Sequence, residues 1–504
     1  MKIFAPLVLL ILLQQNSFSQ NRNSIWCFGD SAGIDFRNLN NPVPIFTGMD
    51  GRGGCSSISD STGNLLFYSF SYVLNARTKI LNSNHQIMNT SDSIPGWGLY
   101  NDNLILPRPG SNHEYYNFYL GPGGAVDTTY FALVDMNLNG GLGDVVRKNV
   151  PIGAYRGADC LTAVKHGNGR DWWLIGKLSS NPTGNIDRYY VYLITPDSVY
   201  APVIQTFGIG KDTDFQKIIW HPTYNKFMNI NASGLMAEYD FDRCTGFISL
   251  NRIIFPQQFS NYTRLFWEGA YSANGNVFYL TFNSFGGNFG DYGYLLQYDL
   301  TAVDIAASCD TLDSAHFVPF DAGAVRRGPD GKIYYAQAYI PSNALNYPYA
   351  DSMYNYINQN LGVVNYPDSL GSACDFRPFS FYLGGKRVYW GLPNNPEYDL
   401  GPVVGSACDT INTVVEQTEN SSLVINLFYK SAWQSAIVNA SKLKGIKVEI
   451  FLTDISGRIL FVDEGKTTAG YFSKNIPMDN FAAGIYLVTI VTEKEKLSGK
   501  IVKE

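Results

Sequence analysis

One stretch of the chain has the spacing of a serine nucleophile motif. Residues 29–33, GDSAG, match G-x-S-x-G, in which a hydrolase serine lies on a sharp turn between a strand and a helix. A strand-like run precedes Ser31, but residues 34–38 show no helical period. A trypsin-like arrangement does not fit either, because there the serine follows its histidine and aspartate in the chain. We therefore interpret the motif as a glycine turn in the strand that closes the fold.

Histidine-based and metal-based chemistry finds little support. The five histidines are His85, His113, His166, His221 and His316. No two have metal-ligand spacing, and the sequence has no H-E-x-x-H motif, calcium loop, Walker loop or dinucleotide fingerprint. His166 and His221 occupy comparable turns of neighbouring repeats, which favours a structural role. The sequence therefore predicts no catalytic residue, no metal site and no cofactor.

Two carboxylates keep an alternative open. Asp159 and Glu268 lie next to predicted inner strands and are candidates for facing a central channel. A pair of carboxylates about 5–9 Å apart can hydrolyse a glycosidic bond. Carboxylates at surfaces and turns are far commoner, so we predict that the protein is not an enzyme. A glycoside hydrolase or lyase is the alternative.

Seven cysteines are the candidates for disulfides. They are Cys27, Cys55, Cys160, Cys244, Cys309, Cys374 and Cys408, and none forms a C-x-x-C pair. Their odd number leaves at least one thiol unpaired or paired with another chain. We predict the pairs Cys374–Cys408 and Cys244–Cys309. Isolated buried thiols are an equally good interpretation of the first three cysteines.

The elements that would position these residues recur along the chain. A polar turn followed by a strand with an aromatic or apolar pair occurs seven times, as in residues 61–68 (STGNLLFY) and 329–337 (PDGKIYYAQ). The second residues of the pairs lie 48 to 57 positions apart and are Tyr68, Tyr116, Trp173, Met228, Tyr279, Tyr335 and Tyr389. A period near 50 with strands alone is typical of a β-propeller with one four-stranded blade per repeat.

This pattern predicts an all-β fold, a roughly seven-bladed β-propeller followed by a small immunoglobulin-like β-sandwich. Two stacked sandwiches are the alternative, but they would not repeat one turn-and-strand unit at near-constant spacing. Residues 24–29 (SIWCFG) lack a blade of their own. We expect this strand to pair with the last blade, around residues 387–393 (RVYWGLP), because a closed ring has few exposed strand edges.

The ends of the chain and its composition indicate the compartment. Lys2, the apolar run at residues 3–13 and a polar exit predict a signal peptide at residues 1–20. That run is too short to cross a bilayer, and no other segment is a candidate transmembrane helix. Charged residues are 16% and the net charge is −6, which argues against nucleic acid as a partner. Residues 21–395 are the predicted propeller, and residues 396–420 are the predicted linker.

The last stretch of the chain, residues 421–504, predicts a small β-sandwich, because its strand-like runs alternate apolar and polar residues around tight turns. Its D-x-x-G-R turn, AGIYLV strand and KIVK ending resemble the C-terminal sorting domain of the type IX secretion system of Bacteroidota. The matching residues are Asp454, Gly457, Arg458, Gly484, Tyr486, Lys500 and Lys503. The resemblance implies that the tail directs export and that the secretion machinery is a partner.

The preceding residues resemble a second family. The opening IWCFGDSAGIDF, the turn SDSTGNLLFYS, the segment VDMNLNGGLGDV and residues 372–376 (SACDF) are similar to secreted, WD-repeat-like propeller proteins of Bacteroidota. The resemblance spans most of residues 24–400 and implies a propeller outside the cell. It implies no particular activity.

Together these features predict a non-catalytic propeller that binds glycan or protein. We expect it outside the cell or on the outer-membrane surface, after signal-peptide-dependent export to the periplasm. A propeller enzyme that degrades polysaccharide and a passive surface-layer component are the alternatives.

Overall fold

The structure is a computed structural model. It describes residues 21–72, 77–88, 93–96, 98–121, 128–153, 157–178, 187–210, 215–256, 264–284, 292–316, 320–339, 353–409, 424–430, 435–441, 443–454, 457–467 and 472–503. These residues belong to two compact units, Met1–Asp409 and Thr410–Glu504, and each unit is described by itself.

The described residues of the first unit form seven antiparallel sheets that follow one another in the chain, which we call blades 1 to 7. Blades 1 and 2 have three strands each: β1 (Ile25–Phe28), β2 (Asp30–Asp35), β3 (Val43–Asp50), and β4 (Cys55–Ser59), β5 (Leu65–Tyr72), β6 (Arg77–Asn82). Blades 3 and 4 have four: β7 (Asn103–Pro107), β8 (Glu114–Leu120), β9 (Thr129–Asp135), β10 (Asp144–Pro151), and β11 (Thr162–Lys165), β12 (Trp172–Lys177), β13 (Asp187–Ile194), β14 (Val203–Phe207).

Blades 5 to 7 also have four strands each. These are β15 (Gln216–Trp220), β16 (Lys226–Asn231), β17 (Met236–Phe241), β18 (Ile248–Phe255), then β19 (Arg264–Tyr271), β20 (Val277–Ser284), β21 (Tyr292–Asp299), β22 (Asp310–His316), then β23 (Phe320–Arg327), β24 (Ile333–Tyr339), β25 (Asn360–Val364), β26 (Phe376–Tyr382). Short 3-10 turns lie at Asn21–Asn23, Asn139–Gly141, Ala306–Ser308 and Gly371–Cys374.

Local turn chemistry explains why the first two strands of a blade form a hairpin. In blade 2 the carboxylate of Asp60 accepts the backbone N–H groups of Thr62 and Asn64 at 2.8 and 3.0 Å. Gly63 has a φ of 91°, in the left-handed region that glycine adopts without strain. Asp and Gly at these turn positions therefore fix where one strand ends and the next begins.

The blades are held in a ring by apolar layers between neighbouring sheets. Phe67 of blade 2 packs on Tyr115 of blade 3 with ring centroids 5.5 Å apart. At the closure of the ring, Trp26 of blade 1 packs on Tyr334 of blade 7 at 5.9 Å. One buried cluster includes residues of blades 7, 1 and 2, so blade 1 fills the space between the other two. This burial of apolar surface between sheets is the main stabilising term.

The predicted fold class, an all-β propeller of about seven blades followed by a small β-sandwich, is confirmed. Six of the seven repeat residues lie on the second strands of blades 2 to 7 and are buried: Tyr68, Tyr116, Trp173, Met228, Tyr279 and Tyr335. The seventh, Tyr389, is also buried, but it lies outside the named strands.

Blade 1 differs from the expectation for the N-terminal strand. Strand β1 pairs along its whole length with β2, within a blade of its own. Its predicted partner, residues 387–393, meets blade 1 through a single bridge between Asp30 and Arg387. The reason is that GDSAG forms the tight turn between β1 and β2, with Gly29 at a φ of 61°. No helix follows Ser31, as the interpretation of that motif as a turn requires.

The second unit is a two-sheet β-sandwich with its own core. One sheet has the order β27-β28-β31 and the other β30-β29-β32-β33. The strands are β27 (Val424–Lys430), β28 (Ser435–Ser441), β29 (Lys447–Asp454), β30 (Ile459–Lys466), β31 (Phe472–Pro477), β32 (Gly484–Thr492) and β33 (Lys496–Lys503). Alternating residues of both sheets, among them Val438, Ile450 and Val488, are buried between them.

Among the residues that the structure describes, no helix is long and apolar enough to cross a membrane. The predicted signal peptide lies outside the described residues. The first part of the predicted linker, residues 396–409, belongs to the first compact unit.

Candidate functional site

The inner strands of the blades bring polar side chains together at the centre of the ring. Asp159, just before β11, accepts a hydrogen bond from Nζ of Lys217 on β15 at 2.7 Å, and both side chains are buried. The backbone N–H of Tyr100 in blade 3 donates to the same carboxylate at 3.0 Å. Buried charges need such partners, because an unpaired one would be strongly destabilising. This ion pair joins blades 3, 4 and 5.

A second pair joins blades 6 and 7 beside it. The guanidinium of Arg326 on β23 lies 3.4 Å from the carboxylate of Glu268 on β19. The side chain of Asn101 in blade 3 lies 3.5 Å from each of them. Nε of Arg326 is buried and has no hydrogen-bond partner among the described residues. Asp159 is thus fully buried and partnered, whereas Glu268 lies in a looser network.

Residues 387–409 run through the ring instead of forming a blade, and we call them the channel segment. At its first end the Arg387 guanidinium, almost fully buried, contacts Asp30 of blade 1 at 3.0 Å. The indole N–H of Trp390 donates to Asp321 of blade 7 at 2.8 Å. The backbone N–H of Ala324 donates to the carbonyl of Trp390 at 2.6 Å. This end is therefore fastened to blades 1 and 7.

Two asparagines fasten the middle of the channel segment. The side-chain amide of Asn394 donates to the carbonyls of Asn103 in blade 3 and Leu161 in blade 4, at 3.2 and 2.8 Å. Its backbone N–H donates to the carbonyl of Cys55 in blade 2 at 2.8 Å. The side-chain carbonyl of Asn395 accepts from the backbone N–H of Ser57 at 2.9 Å. The two asparagines thus provide hydrogen bonds to four backbone groups on or beside the inner strands, in place of water.

The far end of the channel segment lies against turns of blades 4 and 5. Val403 donates its backbone N–H to the carbonyl of Gly167 at 2.8 Å. Arg243 donates from Nη2 to the carbonyl of Gly401 at 2.7 Å and from Nε to that of Lys165 at 2.8 Å. Burial lowers the pKa of Arg243 to about 10, and the carbonyl groups solvate its charge. A disulfide between Cys244 and Cys408 ends the segment.

A cavity of about 250 Å³ lies between the channel segment and the ends of the inner strands of blades 5 to 7, and we call it the channel cavity. Side chains of two acids, Glu268 and Glu397, line it. The other side chains that matter for its chemistry are Trp220, Tyr224, Arg326 and Arg327. The cavity therefore combines carboxyl groups, guanidinium groups and aromatic rings at one end of the channel.

The two carboxyl groups of the cavity have different surroundings. Burial raises the pKa of Glu397 to about 7, although a hydrogen bond from the backbone N–H of Asp399 at 3.3 Å opposes this. The hydroxyl of Tyr224 lies 3.5 Å from the same carboxyl group. Glu268, in contrast, is ion-paired with Arg326. Near neutral pH the cavity can thus present one proton-donating and one ion-paired carboxyl group.

Two further carboxyl groups near the channel are structural. Burial raises the pKa of Asp102 to about 7, and the nearby charge of Asp159 adds to the shift. Burial also raises the pKa of Asp321 to about 7, against the indole hydrogen bond from Trp390. Neither residue lines the channel cavity.

The sequence expectations for histidine agree with the placement of these residues. His166 accepts the backbone N–H of Asn168 at 3.0 Å in its turn, and His221 lies 2.7 Å from the hydroxyl of Thr223. Both are turn residues of neighbouring blades. Among the described residues, no group of three or more histidine, cysteine, aspartate or glutamate side chains is placed to hold a metal ion.

The cysteines pair differently from the prediction. The disulfide joins Cys244 to Cys408, so Cys374–Cys408 and Cys244–Cys309 do not form. Cys374 is a buried thiol and Cys309 an exposed one. The channel segment brings Cys408 to the β17–β18 turn that carries Cys244, which is a tertiary contact that the sequence does not reveal. Cys27, Cys55 and Cys160 are buried free thiols. Of the two interpretations of these residues, disulfide partners or isolated buried thiols, the structure shows the latter.

The sorting-motif residues gather at one end of the larger sheet of the second unit. Asp454 and Arg458 form an ion pair across a turn in which Gly457 has a φ of 84°. Asp454 pairs in register with Tyr486, and Gly484 with Lys503, whereas Lys500 lies three residues before Lys503 on β33. Nζ of Lys503 donates to the carbonyls of Met478 and Phe481 at 2.7 Å each. The motif thus defines a hairpin turn and the strand ends beside it.

Sequence reasoning did not identify most of the cavity residues. Glu397 falls in the predicted linker, since NNPEYDLG has the proline and glycine content of a loop. Arg326 and Arg327 are the last two residues of an ordinary inner strand, β23. No local pattern distinguishes them, because the cavity forms only when the channel segment meets three blades.

Comparison with known proteins identifies the tail. Residues 434–504 match the secretion system C-terminal sorting domain, and the chain therefore carries a type IX sorting domain at its C-terminus. This domain implies secretion or cell-surface placement. No curated protein matches the chain.

Solved propeller structures are similar to the chain at low identity. A puromycin hydrolase is 10% identical with a TM-score of 0.37, over 89% of this chain and 57% of the hydrolase. An α-L-arabinanase of Penicillium chrysogenum is 10% identical with a TM-score of 0.31, over 68% of this chain and 89% of the arabinanase. Sqt1 from Chaetomium thermophilum is 10% identical with a TM-score of 0.29, over 72% of each chain.

The prediction that the protein is not an enzyme is corrected by these similarities. Two of the three proteins, the puromycin hydrolase and the arabinanase, are hydrolases. The chain spans 57% of the length of the puromycin hydrolase, and at 10% identity no residue or activity of these proteins is transferred to it. Any chemistry must come from the channel cavity itself.

Proposed function

We propose that the protein is exported by the type IX secretion system to the cell surface or the medium, and that its propeller binds an acidic glycan in the channel cavity. The observation that carries the binding proposal is the composition of the cavity. It places Trp220 and Tyr224 beside Glu268, Glu397 and two arginines. Sugars present hydroxyl groups and an apolar ring face, which such a combination of groups recognises.

The charge of the cavity favours an acidic ligand. Arg326 is paired with Glu268, whereas Arg327 contributes a second positive charge near Glu397. Because the pKa of Glu397 is about 7, this carboxyl group is largely neutral in mildly acidic medium and leaves an excess of one positive charge. A uronate carboxylate would pair with Arg327 through charge-assisted hydrogen bonds. The volume of about 250 Å³ fits the end of a chain rather than a long segment.

Binding is tested with the full chain by calorimetry against oligogalacturonate and, as the neutral counterpart, cello-oligosaccharide. We expect the acidic ligand to bind at pH 6 and Arg327→Ala to weaken binding at least about tenfold, the loss of roughly one charged hydrogen bond. Arg377→Ala is the matched control, because Arg377 lies on the outer strand of the same blade and is exposed. If neither ligand binds, or Arg377→Ala has the same effect, the cavity is not the proposed site.

Export is tested separately in a host with the type IX system. Deletion of residues 421–504 removes the sorting domain, so we expect the truncated protein to stay in the periplasm. Cell fractionation and immunoblotting distinguish periplasm, surface and medium. Normal surface delivery of the truncated protein would refute the export proposal without affecting the binding proposal.

A second candidate function, hydrolysis of a glycosidic bond, is favoured by the two carboxyl groups of the cavity. Glu397 would protonate the leaving oxygen as the bond to the anomeric carbon breaks. Glu268 would assist the water that adds to that carbon, so that bond cleavage consumes one water molecule. The unequal surroundings of the two groups suit these unequal roles.

Chromatography of oligogalacturonate after incubation with the full chain at pH 5 to 8 tests this activity. We expect product with the native chain, and a loss of product with Glu397→Gln while binding is retained. Binding without any product across this pH range would leave the protein a binding protein.

A further inference from the structure

The two halves of the channel segment differ in how firmly they are held. Residues 387–398 are mostly buried, and the blades supply several hydrogen bonds to Trp390, Asn394 and Asn395. Residues 399–409 are more exposed, and Val404 is 85% exposed. Glu397 lies where the two halves meet, two residues before Asp399 of the second half.

The second half is held mainly by the turn of blade 5 that carries Arg243 and Cys244, together with a turn of blade 4 and the N-terminal Arg22. Arg243 donates to the carbonyl of Gly401, and Cys244, the next residue, forms the disulfide with Cys408. Asp399 forms an ion pair with Arg22 near the N-terminus of the described chain. The disulfide closes the segment over the turn of blade 4, where Val403 is hydrogen-bonded to Gly167.

Glycines of blade 4 permit this close approach. A methyl group at Gly167 would overlap Sγ of Cys408, and one at Gly169, which has a φ of 75°, would lie 2.9 Å from Pro402. The turn from His166 to Gly169 therefore leaves room for the end of the channel segment to pack closely against it.

We propose that the Cys244–Cys408 disulfide is a positioning element of the channel cavity, which holds Asn394 to Glu397 in place as its wall. The proposal rests on the proposed function, because it concerns the same cavity. It implies that the cavity is complete only after the chain reaches an oxidising compartment.

The chemistry of the step is thiol–disulfide exchange. The thiols of Cys244 and Cys408 lose two protons and two electrons as their S–S bond forms. A disulfide-bearing oxidoreductase of the cell envelope accepts the electrons and becomes a dithiol. Reduction reverses the step and frees residues 399–409 from blade 5.

Hydrogen exchange of the full chain, followed by mass spectrometry, tests the proposal without a ligand. The backbone N–H groups of Asn394 and Val403 are both hydrogen-bonded to blades and report the two halves of the segment. In Cys408→Ser, or in the native chain with reductant, we expect both to exchange at least about tenfold faster, because local opening costs less free energy. Cys309→Ser is the matched control, since that thiol is exposed and unpaired.

Faster exchange at Val403 with unchanged exchange at Asn394 would overturn the proposal, because the disulfide would then fasten only the end of the chain. Unchanged exchange at both positions would overturn it as well. If Cys408→Ser does not fold, the reductant experiment on native protein gives the same comparison. A failure to bind glycan would leave these outcomes unaffected, so the two proposals fail separately.

The titration of the Glu397 carboxyl group provides a second measurement. A disulfide that fastened only the end of the chain would not change it. Glu397→Gln changes the pH dependence of the melting temperature, because it removes a buried titrating group. If the disulfide positions Glu397, we expect that change to be at least halved in the Cys408→Ser background. Equal changes in both backgrounds would show that the disulfide and the cavity are independent.

Discussion

At the scale of single residues, the cavity depends on a carboxyl group that the fold withdraws from water. Glu397 has a pKa of about 7, raised by burial from its ordinary 4.5. The folded protein therefore holds a proton on Glu397 at pH values where the unfolded chain has released it. Burial destabilises the ionised form of this carboxyl group, and the channel segment thereby places an acid in the cavity.

The pH dependence of stability follows from that shift. Because the folded pKa is above the unfolded one, stability falls as pH rises from about 4.5 to 7, and the loss is complete above pH 7. The quantity to compare is the unfolding free energy of Glu397→Gln minus that of the native chain. We expect this difference to rise by up to about 3 kcal/mol between pH 5 and pH 8. Urea denaturation at both pH values measures this difference.

Glu114→Gln is the matched control for this experiment, because Glu114 is a partly exposed residue of blade 3 that pairs with Arg108. Asp102 and Asp321 have raised pKa values too, so the native curve itself slopes in the same direction. Only the difference between variant and native isolates Glu397. An identical slope in Glu397→Gln would show that its pKa is ordinary.

Asn394 provides a second test at this scale. Replacement by alanine leaves the carbonyls of Asn103 and Leu161 buried without their donor. Each unsatisfied group costs about 1–3 kcal/mol, so we expect Asn394→Ala to lose about 2–6 kcal/mol of unfolding free energy. Asn137→Ala, at an exposed position of blade 3, should change it by less than about 0.5 kcal/mol. A loss below 1 kcal/mol in Asn394→Ala would contradict this role.

Some of these residues could be anticipated from sequence and others could not. Asp159 and Glu268 lie beside recognisable inner strands, and inner strands must face the channel of a propeller. Glu397 has no such neighbour in the chain, because its surroundings come from blade 5, over 170 residues away. Turn histidines were predictable as structural, since His166 and His221 each bond a residue two positions further along their own turn.

At the scale of elements, the channel segment takes the place where the last repeat predicts a blade. Its path needs glycine, because a methyl group at Gly391 would overlap the backbone of Gly53. We expect Gly391→Ala to force the backbones apart and to lower the unfolding free energy by about 1–3 kcal/mol. Thermal and urea denaturation measure the loss.

Gly401→Ala is the control on the same segment, because a methyl group there has open space around it. We expect it to be neutral or slightly stabilising, since alanine restricts the unfolded chain. Equal destabilisation by both substitutions would show that glycine serves the flexibility of the segment rather than close packing.

The repeats show why local patterns identify most blades and mislead at the end. A turn such as that of Asp60 and Gly63 fixes a hairpin through contacts within four residues, so blades 2 to 7 follow from sequence. Residues 384–389 carry a glycine turn and an aromatic strand pattern as well. The last three of these residues are buried, and Arg387 and Val388 are hydrogen-bonded to the backbones of Asp30 and Asn358, contacts that local patterns do not encode.

At the scale of the whole molecule, the two units have separate cores. The buried cluster of the second unit contains only residues of that unit. We therefore expect two unfolding transitions in calorimetry. Lys503→Met should lower only that of the second unit, by about 1–3 kcal/mol, because the carbonyls of Met478 and Phe481 lose their charged donor.

Lys496→Met, at an exposed position of the same strand, is the control and should leave both transitions unchanged. A shift of the propeller transition in Lys503→Met would show that the units are not independent.

The family of the tail was accessible from sequence because its motif residues lie in one hairpin and two adjacent strands. The function of the propeller was not, because its cavity is assembled from four distant parts of the chain.

The closure of the ring has a consequence for how the protein folds. Blade 1 comes from the first 50 residues, whereas Arg387, which bridges to its Asp30, lies 357 positions later. A contact of that sequence separation forms late, because loop closure carries a large entropic cost before it is rewarded. Blades 1 to 7 can each form hairpin by hairpin as the chain emerges, but the contacts of blade 1 with Tyr334 of blade 7 and with Arg387 must wait for the last residues of the propeller. Refolding should therefore show a slow final phase in which the two ends of the propeller meet.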